Sequence, residues 1–436
     1  MQGKSYEESL SLRRSALSPG LTLYYKKPLL IHQGHKQWLW DHTGRRYLDM
    51  FAGIVTVSVG HCHPRVTRAA EEQLRSLWHT TNIYMHPKIQ EYAEQLVSKL
   101  PPQLNVCFFC NSGSEANDLA MMMARLYTGS FDIVSLRNAY HGASPYNMSL
   151  CGVGPWKYMF PNSFGVHQAM NPDPYMGPWG GRYCRDSPVQ VSDRDCSCGP
   201  QGPCQAAENY SQQLWEVLNY TLPRRGIAAF FAESVQRESA TEYVQGVGGT
   251  VQFPKGYLQK AFEMVRKQGG LCISDEVQTG FGRMGTHYWG FETHDVVPDI
   301  VTMAKGMGNG YPIAAVVTRP EIAKTLGEAL HFNTFGGNPV ACTIGSEVLK
   351  DTLYLYLFIF TLGLQVIDEE KLMANSLEVG THLLRGLDSL KEQFPSLVGD
   401  VRGKGLMIGF ELVADRVSPL NTNLPLTLAR VVNSQV

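Results

Sequence analysis

Lys305 stands where an apolar run, DIVTMAK over 299–305, meets the loop Gly306-Met307-Gly308-Asn309-Gly310. A lysine leaving a dry strand for a cavity has its ammonium form disfavoured, which frees the amine as a nucleophile toward an aldehyde. Taken alone, a strand-end lysine is more often a surface residue holding its charge in water. Asp275 shifts that balance. It ends another apolar run, LCISD over 271–275, and Glu276, Val277 and Gln278 follow it. A carboxylate there can pair with a protonated pyridine nitrogen, and a lysine with such an aspartate is the pair that pyridoxal phosphate uses. An ordinary helix N-cap is the competing reading of Asp275.

Four more features suit the same chemistry. Ser112-Gly113-Ser114-Glu115 joins the run NVCFF (105–109) to a helical pattern, Ala116–Tyr127. Backbone N–H groups at a helix start cradle anions. The turn lacks both GxxxxGK[ST] and GxGxxG, so a phosphate monoester suits it better than a nucleotide polyphosphate. A capped helix start without a ligand is the plainer alternative. Tyr140 offers an aromatic face for stacking on a ring. Gln278 could donate to a phenolate oxygen, and Thr334 offers a hydroxyl on the loop HFNTFGGNP (331–339).

The elements that must position these residues are short apolar runs alternating with longer helical patterns, the signature of an α/β fold with a mainly parallel sheet. The runs are 105–109, 132–136, 227–233, 271–275 and 299–305, and Gly256–Gln268 between two of them carries Leu258, Phe262 and Val265 at helical spacing. They lead into Cys110–Asn117, Tyr140-His141-Gly142, Glu233, Asp275 and Lys305 respectively. Open α/β sheets bind ligands outside the carboxyl ends of their strands, so five such ends would converge on one site.

Composition bounds the rest. The chain has 436 residues, 44% of them hydrophobic, and a net charge of −1, which excludes a disordered chain and gives no reason to expect a nucleic-acid partner. Ten cysteines in this length do not make a small disulfide scaffold, so a reduced intracellular compartment is the default. The first residues mix Lys4, Arg13 and Arg14 with Glu7 and Glu8, a poor targeting presequence. The apolar run 353–364 is far shorter than the roughly 20 residues that cross a bilayer. It is expected as a buried helix or strand, with no membrane partner. The Pro-, Gly- and Cys-rich stretch 150–225 reads as a long surface excursion. Its Cys184, Cys196, Cys198 and Cys204 lack the CxxC spacing of common zinc sites, so free thiols are expected and no metal.

SGSEAN, AYHG, SDEVQTGFGRMG, AKGMGNGYP and FNTFGGNP, in this order and spacing, resemble the class III aminotransferases, which are fold-type-I pyridoxal-phosphate enzymes. GIVTVSVGHCHP and VRGKGLMIGFEL fit as well, so the resemblance spans about residues 25–415. It implies that Lys305 forms the cofactor Schiff base and shuttles the proton. Asp275 would bind the pyridine nitrogen, Gln278 the ring hydroxyl, and Tyr140 would stack on the ring. Gly113 and Ser114 would bind the phosphate through the backbone, and Thr334 the phosphate of a partner subunit, which requires a homodimer or larger homo-oligomer. Glu233 and His141 would stand behind these groups. The implied domains are an N-terminal segment (1–55) contributing to a small domain, a large cofactor-binding domain (56–345) and a smaller α+β domain (346–436).

The substrates implied are small amino acids and keto acids. The stretch CRDSPVQ…CSC points to mitochondrial members that pass an amino group from L-alanine to glyoxylate, giving pyruvate and glycine by a ping-pong route. A cytoplasmic location is the alternative. Ala143 after AYHG favours small acceptors over 2-oxoglutarate. A lyase acting on a phosphorylated amine is the rival activity within the class. Three departures from the family pattern set a further expectation of impaired catalysis: apparent insertions at 234–246 and at Thr352–Gln365, and an end at Val436 before the arginine motif that grips the substrate carboxylate. Arg402 matches a structural position instead.

Overall fold

Seven short, mostly apolar runs form the central sheet of the computed structural model, which describes residues 3–413 apart from 22, 24, 160–163, 191–193, 195, 197, 200–201, 224–225, 239–248 and 350–365. In chain order they are β1 (Val106–Cys110), β2 (Ile133–Leu136), β3 (Val166–Ala169), β4 (Ala229–Glu233), β5 (Leu271–Asp275), β6 (Ile300–Met303) and β7 (Ala314–Thr318). Their spatial order is β1-β7-β6-β5-β4-β2-β3. Only β7 runs antiparallel to its neighbours; the other pairings are parallel. The inner strands β4, β5, β6 and β7 are buried along their whole length, because helices cover both faces.

Helix α1 (Gly113–Thr128) follows β1 and packs against β6 and β7. It buries Ala116, Leu119, Ala120, Met123 and Ala124, one face at helical spacing. The Ser112 side chain caps its start, and Gly129 in a left-handed conformation ends it. Helices α2 (Gln205–Glu216) and α3 (Tyr257–Lys267) pack on each other, and α3 also lies on β4 and β5 through Leu258, Ala261, Phe262 and Val265. A long helix α4 (Leu372–Gln393) lies against the hairpin β8 (Val398–Lys404) and β9 (Met407–Leu412). Near the N-terminus, Ile31–His35, Trp38–Asp41 and Arg46–Leu48 form a separate three-stranded sheet.

The expected strands lie within a residue or two of the observed ones, with one difference that bears on chemistry. The run 299–305 is a strand only to Met303, and Lys305 opens a tight turn beyond it. The expected helix Ala116–Tyr127 starts earlier, at Gly113, because Ser112 supplies the cap. The stretch 150–225 is not a surface excursion. It supplies β3 and α2 and buries Leu150, Cys151, Asp173, Cys184 and Arg185. Proline and glycine set its irregular path, but side-chain bonds hold it down. Both Arg185 Nη atoms donate to Asp400 at 2.7 and 2.9 Å, and Nη2 also to the Val401 carbonyl. Arg194 donates to the carbonyls of Tyr175, Gly177 and Pro178. The apolar run 353–364 lies outside the described residues, as does most of the apparent insertion at 234–246. Within the described residues, no helix is long and apolar enough to cross a membrane.

Candidate active site

Asp275 ends β5 as a buried carboxylate surrounded by donors. Its Oδ2 meets His141 Nδ1 at 2.8 Å and accepts from Asn117 Nδ2 at 2.9 Å, while Oδ1 accepts from the Val277 amide at 3.0 Å. Asn117 also donates to the His141 carbonyl at 2.8 Å, and the His141 ring lies 4.7 Å from that of Phe231. Three elements therefore fix one carboxylate: α1 through Asn117, the loop after β2 through His141, and β5 itself. Glu233 ends the adjacent strand β4 in register with Asp275. Burial pushes its carboxyl up to about 7; His141 and Lys305 act against this, and Asp275 adds to it. These four groups thus share one low-dielectric region at the carboxyl ends of β4, β5 and β6.

Lys305 is half-buried and has φ 47°, a left-handed backbone conformation. That costs of order 1–3 kcal/mol for a residue with a β-carbon, and such outliers cluster at functional sites. The turn is held from outside. Ser58 Oγ donates to the Gly306 carbonyl at 2.7 Å, Asn309 Nδ2 donates to the Gly60 carbonyl, and the Val59 amide donates to Asn309 Oδ1. The GIVTVSVG segment therefore serves as a clamp on the lysine turn.

At the start of α1, Gly113 packs so closely on Val277 that an added β-carbon would lie 3.1 Å from its Cγ2. Gly142, at φ 123°, crosses Ser114, and a β-carbon there would lie 2.5 Å from Ser114 Oγ. The Ala143 amide donates to that Oγ at 3.2 Å, and Asn147 Nδ2 donates to the Ser114 carbonyl at 2.7 Å. Tyr140 is half-buried, edge-on to Trp156 at 5.4 Å, and Gln278 is buried just beyond Asp275.

Thr334 is exposed, on a loop docked to the start of α1: Asn333 Nδ2 and Asn111 Nδ2 both donate to Glu115 Oε2. Leu330, Phe332 and Phe335 on that loop are exposed, as are Trp78, Ile83, Tyr84 and Met85, and Phe335 lies 5.4 Å from His79. Arg402 is buried and bonded to Asp400, Glu411 and the Thr250 carbonyl, in keeping with a structural position.

Sequence reasoning passed over Glu276. It is fully buried, and it accepts five hydrogen bonds: from Ser234, Ser274 and the Phe291 amide on Oε1, and from Thr279 and the Gly290 amide on Oε2. Its place beside Asp275 was visible, but its partners come from three separated segments.

The sequence matches the family model described as aminotransferase class-III over residues 24–424. The chain is a class III aminotransferase. A human relative, named alanine–glyoxylate aminotransferase 2, mitochondrial, is 54% identical over 96% of this chain and 76% of its own. The class III fold recurs in a thermostable (S)-enantioselective omega-transaminase from Thermomicrobium roseum, with TM-score 0.79 and 32% identity over 96% of this chain and 87% of that one. It recurs in a phospholyase from Arthrobacter in complex with phosphoethanolamine, with TM-score 0.76 and 30% identity over 95% and 86%. Like its family, this aminotransferase depends on pyridoxal phosphate and acts on amino and keto acids. The residues fit that cofactor. Asp275 is a buried carboxylate hydrogen-bonded by Asn117, His141 and the Val277 amide, Gly142 at φ 123° leaves room for the Gly113–Ser114 helix start where a β-carbon would press on Ser114, and a strained lysine stands beside them.

Proposed function

We propose that this aminotransferase passes the amino group of L-alanine to glyoxylate, yielding pyruvate and glycine. The observation that carries the reading is the 54% identity to the human alanine–glyoxylate enzyme across nearly the whole chain. When bound, pyridoxal phosphate supplies an electron sink for the charge that develops at the substrate Cα. Lys305 Nζ would hold the cofactor aldehyde and then move the Cα proton. Asp275 would keep a proton on the pyridine nitrogen, with His141 and Asn117 fixing its carboxylate and Glu233 behind them. Gln278 would bind the ring hydroxyl, Tyr140 the ring face, and the amides of Gly113 and Ser114 the phosphate.

The exposed apolar residues around Thr334 suit an interface between two copies, through which Thr334 would reach the partner's phosphate site. Residues 56–345 would form the cofactor-binding domain, with 1–55 and 346–436 making the smaller one. We infer a mitochondrial location from the relative's name.

The test begins with a titration of purified protein by pyridoxal phosphate. A visible band of lysine-bound cofactor is expected and should vanish in Lys305→Ala. Alanine with glyoxylate should then give pyruvate and glycine faster than alanine with 2-oxoglutarate. Phosphate release from phosphoethanolamine without transamination would overturn the reading in favour of a lyase.

A further inference from the structure

Four thiols that the reaction does not use meet beneath the start of α2. Cys198 Sγ lies 3.8 Å from Cys184 Sγ, 3.4 Å from Cys204 Sγ and 2.9 Å from Cys196 Sγ. The sulfurs of Cys184, Cys198 and Cys204 all fall within 4.8 Å of one another, and all three residues are buried. Four thiolates placed tetrahedrally about 2.3 Å from a zinc ion stand about 3.8 Å apart. The 3.8 and 3.4 Å spacings of Cys198 from Cys184 and Cys204 are near that, whereas Cys196, 2.9 Å from Cys198, lies outside the group of three and would complete the set by a side-chain shift. A disulfide needs sulfurs at about 2.05 Å and would join these groups only in pairs.

We propose that Cys184, Cys196, Cys198 and Cys204 bind one zinc ion as a structural centre. Spacing along the chain argued for free thiols, because CSC lacks the usual two-residue gap. The fold supplies the convergence instead. Soft thiolate sets select zinc, copper(I) or iron–sulfur clusters. A cluster of several irons would stand between the sulfurs and hold them farther apart, so a single ion fits.

The surroundings are built for negative charge, which four thiolates around one divalent ion would carry to a net of about −2. Cys204 is the N-cap residue of α2, so the sulfurs sit at the positive end of a helix. The Gln205 amide donates to Cys198 Sγ at 3.3 Å. The backbone amides of Ala207 and Ala206 also hydrogen-bond the Cys204 sulfur. Such outer hydrogen bonds orient metal ligands and tune them.

The ligands also ride on a braced frame. The Cys184 carbonyl accepts from the Lys255 amide at 2.8 Å, Arg185 beside it holds Asp400, and Arg194 holds three carbonyls. Gly181, at φ 153°, lets the two arms of the loop touch: a β-carbon there would lie 2.6 Å from the Arg194 carbonyl oxygen and 2.8 Å from the Cys196 nitrogen. The ion would join this loop to α2, some distance in sequence from the cofactor residues.

The test uses the full chain, purified under reducing conditions, incubated with zinc chloride, desalted and assayed by plasma mass spectrometry. About one zinc per chain is expected to survive desalting. Cobalt(II) in place of zinc should give the intense visible and near-ultraviolet bands of tetrahedral thiolate coordination, a readout that needs no variant. Cys198→Ser and Cys204→Ser should retain at least about tenfold less zinc. The proposal is overturned by any of three results: no zinc above background after reconstitution, a cobalt spectrum without thiolate bands, or stoichiometric iron or copper in its place. Intact masses showing two disulfides in metal-free protein that cannot be loaded after reduction would overturn it as well.

Discussion

Glu276→Gln probes the frame beneath Asp275 with almost no change in shape. Of the five donors to Glu276, three are hydroxyls, which can rotate and accept instead. Two are backbone amides, which cannot: Phe291 on Oε1 at 2.9 Å and Gly290 on Oε2 at 2.7 Å. Whichever way a glutamine amide is turned, its NH2 faces one of them. One bond to a charged acceptor is lost, and a buried donor is left without a partner, together about 3–5 kcal/mol. Burial raises the Glu276 carboxyl, so removing its charge offsets part of this. A net loss of about 2–3 kcal/mol is expected at neutral pH. Urea titration of cofactor-free protein reads it, with tryptophan fluorescence as probe, because buried Trp289 precedes the two amides. Thr279→Val removes a rotatable donor only and should cost about 1 kcal/mol. If Glu276→Gln shifts stability by less than Thr279→Val, the argument from fixed against rotatable donors is wrong.

Asp275→Asn places an amide among donors on both sides, from Asn117 and Val277, and removes the charge that would hold a pyridinium proton. The single-turnover rate with alanine should fall at least about 100-fold, close to 3 kcal/mol of barrier, and a near-unchanged rate would refute the assigned role. Burial lifts the Glu233 carboxyl from its ordinary 4.5 to about 7, so its favourable contribution is full below about 4.5 and is lost as pH rises through about 7. Glu233→Gln should therefore flatten the decline in stability of cofactor-free protein across that window, worth about 3 kcal/mol, and parallel stability curves would contradict it. Gly142→Ala must strain a backbone at φ 123° and push on Ser114 Oγ. Cofactor affinity by fluorescence quenching should drop about tenfold or more, and an unchanged affinity would separate this glycine from the phosphate cradle.

The carboxyl ends of the strands were legible because chemistry follows directly on apolar runs there. LCISD ends on Asp275 and AFFAE on Glu233, and both boundaries are where the sequence puts them. Strand β3, with the sequence VHQA, was not legible, because two polar residues in four leave no apolar run to notice. AAVVT of β7 is short and small, and nothing in it announces an antiparallel strand. Single residues were read by type, whereas networks were not: His141 and Asn117 reach Asp275 from more than a hundred positions away, and the five donors around Glu276 come from three separate segments. The cysteines taught the same lesson, since their spacing gave no sign of a shared point.

The antiparallel strand of the central sheet, β7, has a consequence for the nascent chain. β1 carries α1 and its helix start, yet β1 joins the sheet only through β7: Val106 pairs with Thr318 and Cys110 with Ala314, roughly 200 positions later. At about 5–20 residues per second, a ribosome needs about 10–40 s to make that stretch. Until then α1 lacks the β6 and β7 surface it packs against. The start of α1, proposed to cradle the phosphate, therefore cannot become rigid until β7 has been made, about 200 residues after it. Chaperones have that interval in which to engage it, and a substitution in β7 that touches no cofactor would lower cofactor retention by leaving β1 undocked.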